Sequence, residues 1–226
     1  MNVLALDTAL RMNCLSISVK SDAGIFTRSC DFSERLVAEN LFSSLELSLT
    51  EAGIARTAID VCLVPEGPGS FTGLRLAYSV AKALQLSSAA RFIAIPTLNC
   101  LAASVFPYKG NLLVAIDARR NSVYAQHFKN AEAVSEIFDT PFSQLLSDFE
   151  QSEAICLCVG YDAILRHLEQ SSYRAEHISQ LQFIEYKNIF SLDILQYFLN
   201  HQNELLSTAS ADYAGPLYVR KSDATV

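Results

Sequence analysis

The chain has 226 residues, 50% of them hydrophobic and 18% charged, which excludes a disordered solvating polypeptide and suffices for a core without metal or disulfide staples. Lys plus Arg number 17 against 24 Asp plus Glu, and the resulting charge of −7 argues against a free-standing nucleic-acid binder. No run reaches the ~18 apolar residues of a membrane span, and the start MNVLALDTALRMN has neither the positive opening nor the apolar run of a signal peptide.

Val3 to Leu6 is a short apolar run and reads as a strand. Cys14 to Val19 alternates Leu15, Ile17 and Val19 with Ser16 and Ser18, the pattern of a half-exposed strand. Gly24 to Cys30 is a weaker third strand, so the chain is expected to open as an antiparallel meander. Ser33 to Ala52 carries Val37, Leu41, Leu45 and Leu49 four apart, which predicts a helix capped by Ser33 and stopped by Gly53. Ile59 to Val64 reads as a buried strand. The turn Glu66-Gly67-Pro68-Gly69-Ser70 leads into a second helix, Phe71 to Leu86. Phe92 to Ile95 is a strand closed by Pro96, and Thr97 to Val105 a short helix.

The pattern then restarts. Leu112 to Ile116 and Val123 to Phe128 read as strands, and Ala133 to Phe138 as a third. A helix is expected over Phe142 to Phe149, a buried strand over Ile155 to Val159 ended by Gly160, and a helix over Ala163 to Leu168. A last helix is expected over Asn188 to Asn200, and the tail is polar after Val219. Leu4-Ala5-Leu6-Asp7-Thr8 matches Val114-Ala115-Ile116-Asp117-Ala118, each followed by Arg (Arg11; Arg119, Arg120), then Asn (Asn13; Asn121), then a strand. Val61 to Val64 before Gly67 matches Ile155 to Cys158 before Gly160. Two similar lobes follow, residues 1–106 and 107–226, divided near Pro107 and Gly110.

Three groups of residues could carry chemistry. Asp7-Thr8 closes a buried strand. There an acid can orient a metal-bound water and a hydroxyl can meet a phosphate, or both can simply bond turn amides. Its twin Asp117 lacks the following hydroxyl and glycine, so a second phosphate loop looks lost. The run from Gly67 to Gly73 holds three glycines and a proline in seven residues. It either cradles an anion at a helix start or packs a helix tightly on a sheet. It is no P-loop, since no Gly-Lys-Ser/Thr follows. Gly73, Ala77 and Ala81, four apart, let another helix approach closely. Leu36, Val37, Leu41, Phe42, Leu45, Leu47 and Leu49 make the first helix apolar on more than one side. A helical partner from outside the chain would explain both features, and so would enclosure of both helices within it.

Other chemistry is not supported. The histidines at 127, 167, 177 and 201 include no pair four apart, and no GxSxG elbow occurs. Cysteines 14, 30, 62, 100, 156 and 158 form no CxxC pair and read as small buried hydrophobes of a reduced cytoplasm.

The nine residues GPGSFTGLR, 67–75, resemble the hallmark run of the bacterial TsaB (YeaZ-type) family. LALDTA (4–9), IDARRNSVYAQ (116–126) and PLYVR (216–220) agree in the expected order. The resemblance implies an α/β fold of duplicated two-lobe actin/sugar-kinase/Hsp70-like (ribonuclease H-like) type. It implies a cytoplasmic, non-catalytic scaffold or activator of the catalytic paralogue TsaD, which transfers threonylcarbamoyl to adenosine 37 of ANN-decoding tRNAs. Partners implied are a TsaD-like subunit, a TsaE-like ATPase, a second copy as homodimer, and tRNA indirectly. The implied pairing surface uses the first two helices, through Leu36, Val37, Asn40, Leu41, Ser44, Gly73, Leu74, Ala77, Tyr78 and Ala81. Vestigial nucleotide or anion contacts would fall on Asp7, Thr8, Gly67, Gly69, Ser70, Arg75, Asp117 and Arg119. No catalytic residue, metal site or cofactor of the chain's own is implied, and ATP or ADP with a metal ion belongs to the complex. The first family helix commonly opens His-Ser-Glu; here Phe32-Ser33-Glu34-Arg35 stands instead, without the contact that histidine makes. The rival reading is an ATP-dependent phosphotransferase or ATPase built on Asp7, Thr8 and the Gly67–Gly69 turn. A peptidase is a more remote rival, with neither metal site nor triad to support it.

Overall fold

The computed structural model describes residues 1–11, 13–32, 36–105, 109–119, 122–141, 144–145, 155–159, 183–208 and 215–219. The chain begins with β1 (Val3–Asp7), β2 (Cys14–Ser21) and β3 (Gly24–Asp31), the expected antiparallel meander. Next come α1 (Val37–Glu51), a 3-10 turn at Arg56–Ala58, β4 (Val61–Gly67), α2 (Phe71–Ser88), β5 (Arg91–Pro96) and α3 (Thr97–Ser104). The sheet order is β3-β2-β1-β4-β5, with β1, β4 and β5 parallel.

Strand alternation decides what each face meets. Leu4, Leu6, Leu15, Ile17, Val19, Cys62 and Val64 share one core with Leu41, Leu45 and Leu49 of α1 and with Ala77, Val80, Ala81 and Leu84 of α2. Each buried α1 leucine contributes about 2 kcal/mol. The opposite face is not open. The last long helix, α4 (Phe190–Asn200), lies against β1, β2 and β4 there. Ser16 Oγ accepts the Ser191 N–H at 3.1 Å, and Ser18 Oγ lies 2.9 Å from Ser191 Oγ. β2 is therefore buried on both faces rather than half exposed. Its serines are satisfied by hydrogen bonds instead of water.

Gly53 stops α1 as expected. It sits at φ +68 and its N–H bonds Thr50 O, while the Ile54 N–H bonds Leu49 O, the pair of reversed bonds that closes a helix on a left-handed glycine. At the other end Leu36 is the cap residue and gives no side-chain bond. The expected cap Ser33, with Glu34 and Arg35, lies outside the described residues. α2 is capped by Ser70, whose Oγ accepts the Gly73 N–H at 3.3 Å.

A second sheet contains β6 (Asn111–Arg119), β7 (Ser122–Lys129), β8 (Glu132–Ala133), β9 (Phe138–Pro141), β10 (Ile155–Val159) and β11 (Phe183–Glu185). Its order is β11-β10-β6-β7-β8, with β9 also on β7. The single strand expected over Ala133 to Phe138 is two short ones, both paired with β7, with residues 134–137 irregular between them. β11 was not foreseen; three residues carry too little periodicity. A short α5 (Gln202–Thr208) follows α4. The helices expected over 142–149 and 163–168, and Gly160, lie outside the described residues, apart from Gln144 and Leu145.

The two sheets share one plan. An antiparallel meander (β1-β2-β3; β6-β7-β8) is extended from its first strand by two parallel strands (β4-β5; β10-β11). This is a duplicated ribonuclease H-like α/β fold. The compact units are not the contiguous lobes 1–106 and 107–226. One comprises Met1–Thr97 with Asn188–Leu217, the other Leu98–Lys187 with Tyr218–Val226. The difference arises because α4 returns to cover the first sheet. Among the described residues no helix is long and apolar enough to cross a membrane.

Candidate functional site

The residues expected to carry chemistry meet where β1 ends and α2 begins. Asp7 is 1% exposed. Its Oδ1 accepts the N–H groups of Ala9 (2.8 Å) and Leu10 (3.1 Å), closing the turn after β1. Burial pushes the carboxyl pKa up to about 6, while those two N–H donors and the nearby Arg11 charge pull the other way. Thr8 is buried and its hydroxyl donates to Gly73 O at 2.7 Å.

The glycine run fits around this turn. A Cβ on Gly73 would overlap the Thr8 carbonyl and stand 2.8 Å from Ala9 Cα. One on Gly69 would lie 3.1 Å from Ala9 O, which already accepts the Ser70 N–H at 2.9 Å. One on Gly67, at φ +123, would lie 2.5 Å from Leu217 O. Each glycine is thus accounted for by close approach of the chain's own backbone. Of the two readings left open by the sequence, tight packing of helix on sheet is the one these contacts support. Asp7 and Thr8, which the ATPase reading would turn toward a ligand, bond Ala9, Leu10 and Gly73, while Gly67 and Gly69 abut Leu217 and Ala9. Gly67 N–H donates to Thr97 Oγ1 (3.2 Å), and Leu217 N–H to Glu66 O (2.8 Å). The Arg75 guanidinium lies 5.2 Å from the centre of the exposed Phe71 ring.

In the second unit Asp117 takes the place that Asp7 holds in the first. It lies near the end of β6, and its Oδ1 accepts the Arg119 N–H at 2.7 Å. The same local bond thus recurs in both copies, although Asp117 is only half-buried. Arg119 is exposed at φ +61; Arg120 and Asn121 lie outside the described residues.

The expected helical surface divides in two. Leu41, Gly73, Leu74, Ala77, Tyr78 and Ala81 are buried in the chain's own first unit. Ala77 and Ala81 join the core against the sheet, and Tyr78 meets Phe92 of β5 edge to face at 5.1 Å. The small stripe therefore permits close approach, but to the chain's own sheet. Leu36, Val37, Asn40 and Ser44 are half-buried. Asn40 is tied back by its side-chain amide to Leu36 O at 2.9 Å. Phe42 (63% exposed) and Leu47 (47%), part of the extra apolar surface expected on α1, are exposed, and so is Leu86 (89%) on α2, which was not among the residues expected there. Their type was legible; their outward direction depends on which stripe the sheet claims.

Among the described residues no group of three His, Cys, Asp or Glu could hold a metal. His127 stacks on Phe138 and His201 on Tyr197; His167 and His177 lie outside the described residues. Cys14, Cys62 and Cys100 are buried and Cys30 is half-buried, none of the four in a disulfide. Burial pushes the Cys14 and Cys62 thiols up to about 12. The side chains of Cys156 and Cys158 lie outside the described residues.

A family model described as TsaD, tRNA N6-adenosine threonylcarbamoyltransferase, matches residues 31–164. The chain is 22% identical to the tRNA threonylcarbamoyladenosine biosynthesis protein TsaB of Haemophilus influenzae, over 89% of this chain and 94% of that protein. It is 30% identical to the protein of the same name from Escherichia coli, over 58% of this chain and 57% of that one. YeaZ from Pseudomonas aeruginosa shares the fold, with a TM-score of 0.72 at 21% identity, covering 96% of this chain and 99% of that chain.

Proposed function

The chain belongs to the TsaD family, described as tRNA N6-adenosine threonylcarbamoyltransferase, and is of the TsaB (YeaZ) type; from that premise we propose that it is a non-catalytic subunit of tRNA threonylcarbamoyladenosine biosynthesis, one that binds and positions a TsaD-like catalytic paralogue. The observation that supports docking is the set Phe42, Leu47 and Leu86, large apolar groups left in water on α1 and α2 after both helices have filled their own core. Leu36, Val37 and Leu76 on the same helices and the approach to α1 are half-buried, Val37 and Leu76 packed against the core. Covering exposed apolar groups is the ordinary source of association energy. The chemistry would belong to the partner, since Asp7 and Thr8 are engaged in holding the β1 turn. In the same reading a TsaE-like ATPase acts on the assembled complex, and any nucleotide or metal belongs there.

The test is the pair F42D and L86D, singly and together, in co-purification with the TsaD-like subunit. Both positions are exposed, so melting should change by less than about 0.5 kcal/mol. Affinity should fall at least tenfold in the double variant, about 1.4 kcal/mol. Cells relying on it should show less threonylcarbamoyladenosine in their tRNA. A folded double variant that binds as tightly as the parent would overturn the proposed surface.

A further inference from the structure

The main chain passes between the two compact units three times: at Thr97 to Leu98, at Lys187 to Asn188 and at Leu217 to Tyr218. At each passage a first-unit residue is held by the Asp7 turn or the glycine run. Thr97 Oγ1 accepts the Gly67 N–H at 3.2 Å. Asn188 O accepts from Arg11 Nη2 at 3.1 Å. Leu217 N–H donates to Glu66 O at 2.8 Å, and its carbonyl occupies the space a Cβ on Gly67 would need.

The anchors are themselves joined. Gly67 leads within three residues to Ser70, whose N–H bonds Ala9 O; the Ala9 N–H bonds Asp7; and Arg11 extends from the same turn. One short network thus touches all three crossings, though they lie about 90, 30 and 120 residues apart along the chain in their successive separations from one another and back.

We propose that the Asp7 turn and the glycine run form a junction latch, which fixes the chain at each point where it leaves or enters the first unit. Loosening one anchor then loosens the others. This inference does not depend on the partner proposed above. It gives the glycine run a purpose that a simple turn would not need: glycine at 67, 69 and 73 lets three backbones converge.

The test is amide hydrogen exchange on the full chain, comparing the parent with L217P, T97V and R11A. L217P removes the donor to Glu66 O, T97V the acceptor for Gly67 N–H, and R11A the donor to Asn188 O. Residues held in one network respond together and non-additively. The reporters are the two backbone amides that donate in these contacts, Gly67 N–H and Leu217 N–H, since the Arg11 contact is made by a side-chain donor. T97V should speed exchange at Gly67 at least tenfold and measurably at Leu217, L217P measurably at Gly67, and R11A, which bonds neither amide, measurably at both. Exchange in β6 and β7 should be unchanged, which shows that the protein remains folded. If L217P unfolds the chain, R11A and T97V carry the same comparison. Unchanged exchange at Leu217 in T97V, at Gly67 in L217P and at both amides in R11A would overturn the latch.

Discussion

Asp7 ends β1 with its carboxyl enclosed, and the energy of that enclosure depends on pH. Its pKa stands at about 6, raised by burial from an ordinary value of 3.8 despite two backbone donors. The native state therefore holds the proton more tightly than the unfolded chain between about pH 4 and pH 6. The stabilisation from this group is complete below about pH 4 and is lost as pH rises through about 6. Asp7→Asn keeps an oxygen for the Ala9 and Leu10 amides but carries no charge. It should match the parent near pH 4 and exceed it at pH 8 by about 2–3 kcal/mol, from roughly two pKa units. Urea unfolding across that range measures this, and a gap that does not vary with pH would refute the account. The sequence marked Asp7 by its place at a strand end. It did not mark the burial, because that depends on tertiary packing around the end of β1, which local sequence does not encode.

At the scale of elements, periodicity located α1 and α2 to within a few residues, but it left their faces unassigned. Both helices are apolar on more than one side, and only the sheet decides which side is claimed. The same limit misled the reading of β2: Leu/Ser alternation denotes one exposed face unless another element covers it, and Ser191 lies 173 residues beyond Ser18. Gly73 illustrates how tertiary packing reverses a local rule. Near the start of an exposed helix, replacing glycine with alanine would add about 1 kcal/mol. Here the new methyl would overlap the Thr8 carbonyl and push α2 from β1. Gly73→Ala should therefore destabilise the protein by about 2–3 kcal/mol in urea unfolding, as overpacking does. A stabilised variant would mean that the turn after β1 yields easily. The glycines themselves were legible as sites of close approach; their neighbours, Thr8, Ala9 and Leu217, lie 65, 60 and 150 positions away.

For the whole molecule, the repeated strand–Asp–Arg–Asn order foretold the duplication, since each copy must rebuild the same meander. The return of α4 to the first sheet left no such trace, because a covering helix needs only one apolar stripe and any stripe would fit. Charge is the property of the whole chain that bears most directly on the proposed role. Nucleic-acid affinity arises mainly when Lys and Arg neutralise phosphates and release counterions, and it falls steeply with salt. With 17 basic against 24 acidic residues, this chain carries −7 and repels a polyanion at long range. In the proposed complex the tRNA must then be held by another subunit. The isolated chain should give no tRNA complex in a gel-shift titration at about 150 mM salt, where such attraction is already screened. Adding the TsaD-like subunit should produce a complex whose salt dependence matches that subunit alone, because this chain contributes no phosphate contacts. Micromolar binding by the isolated chain, weakening steeply as salt is raised, would show that a local basic surface overrides the net charge and that this subunit grips the tRNA itself.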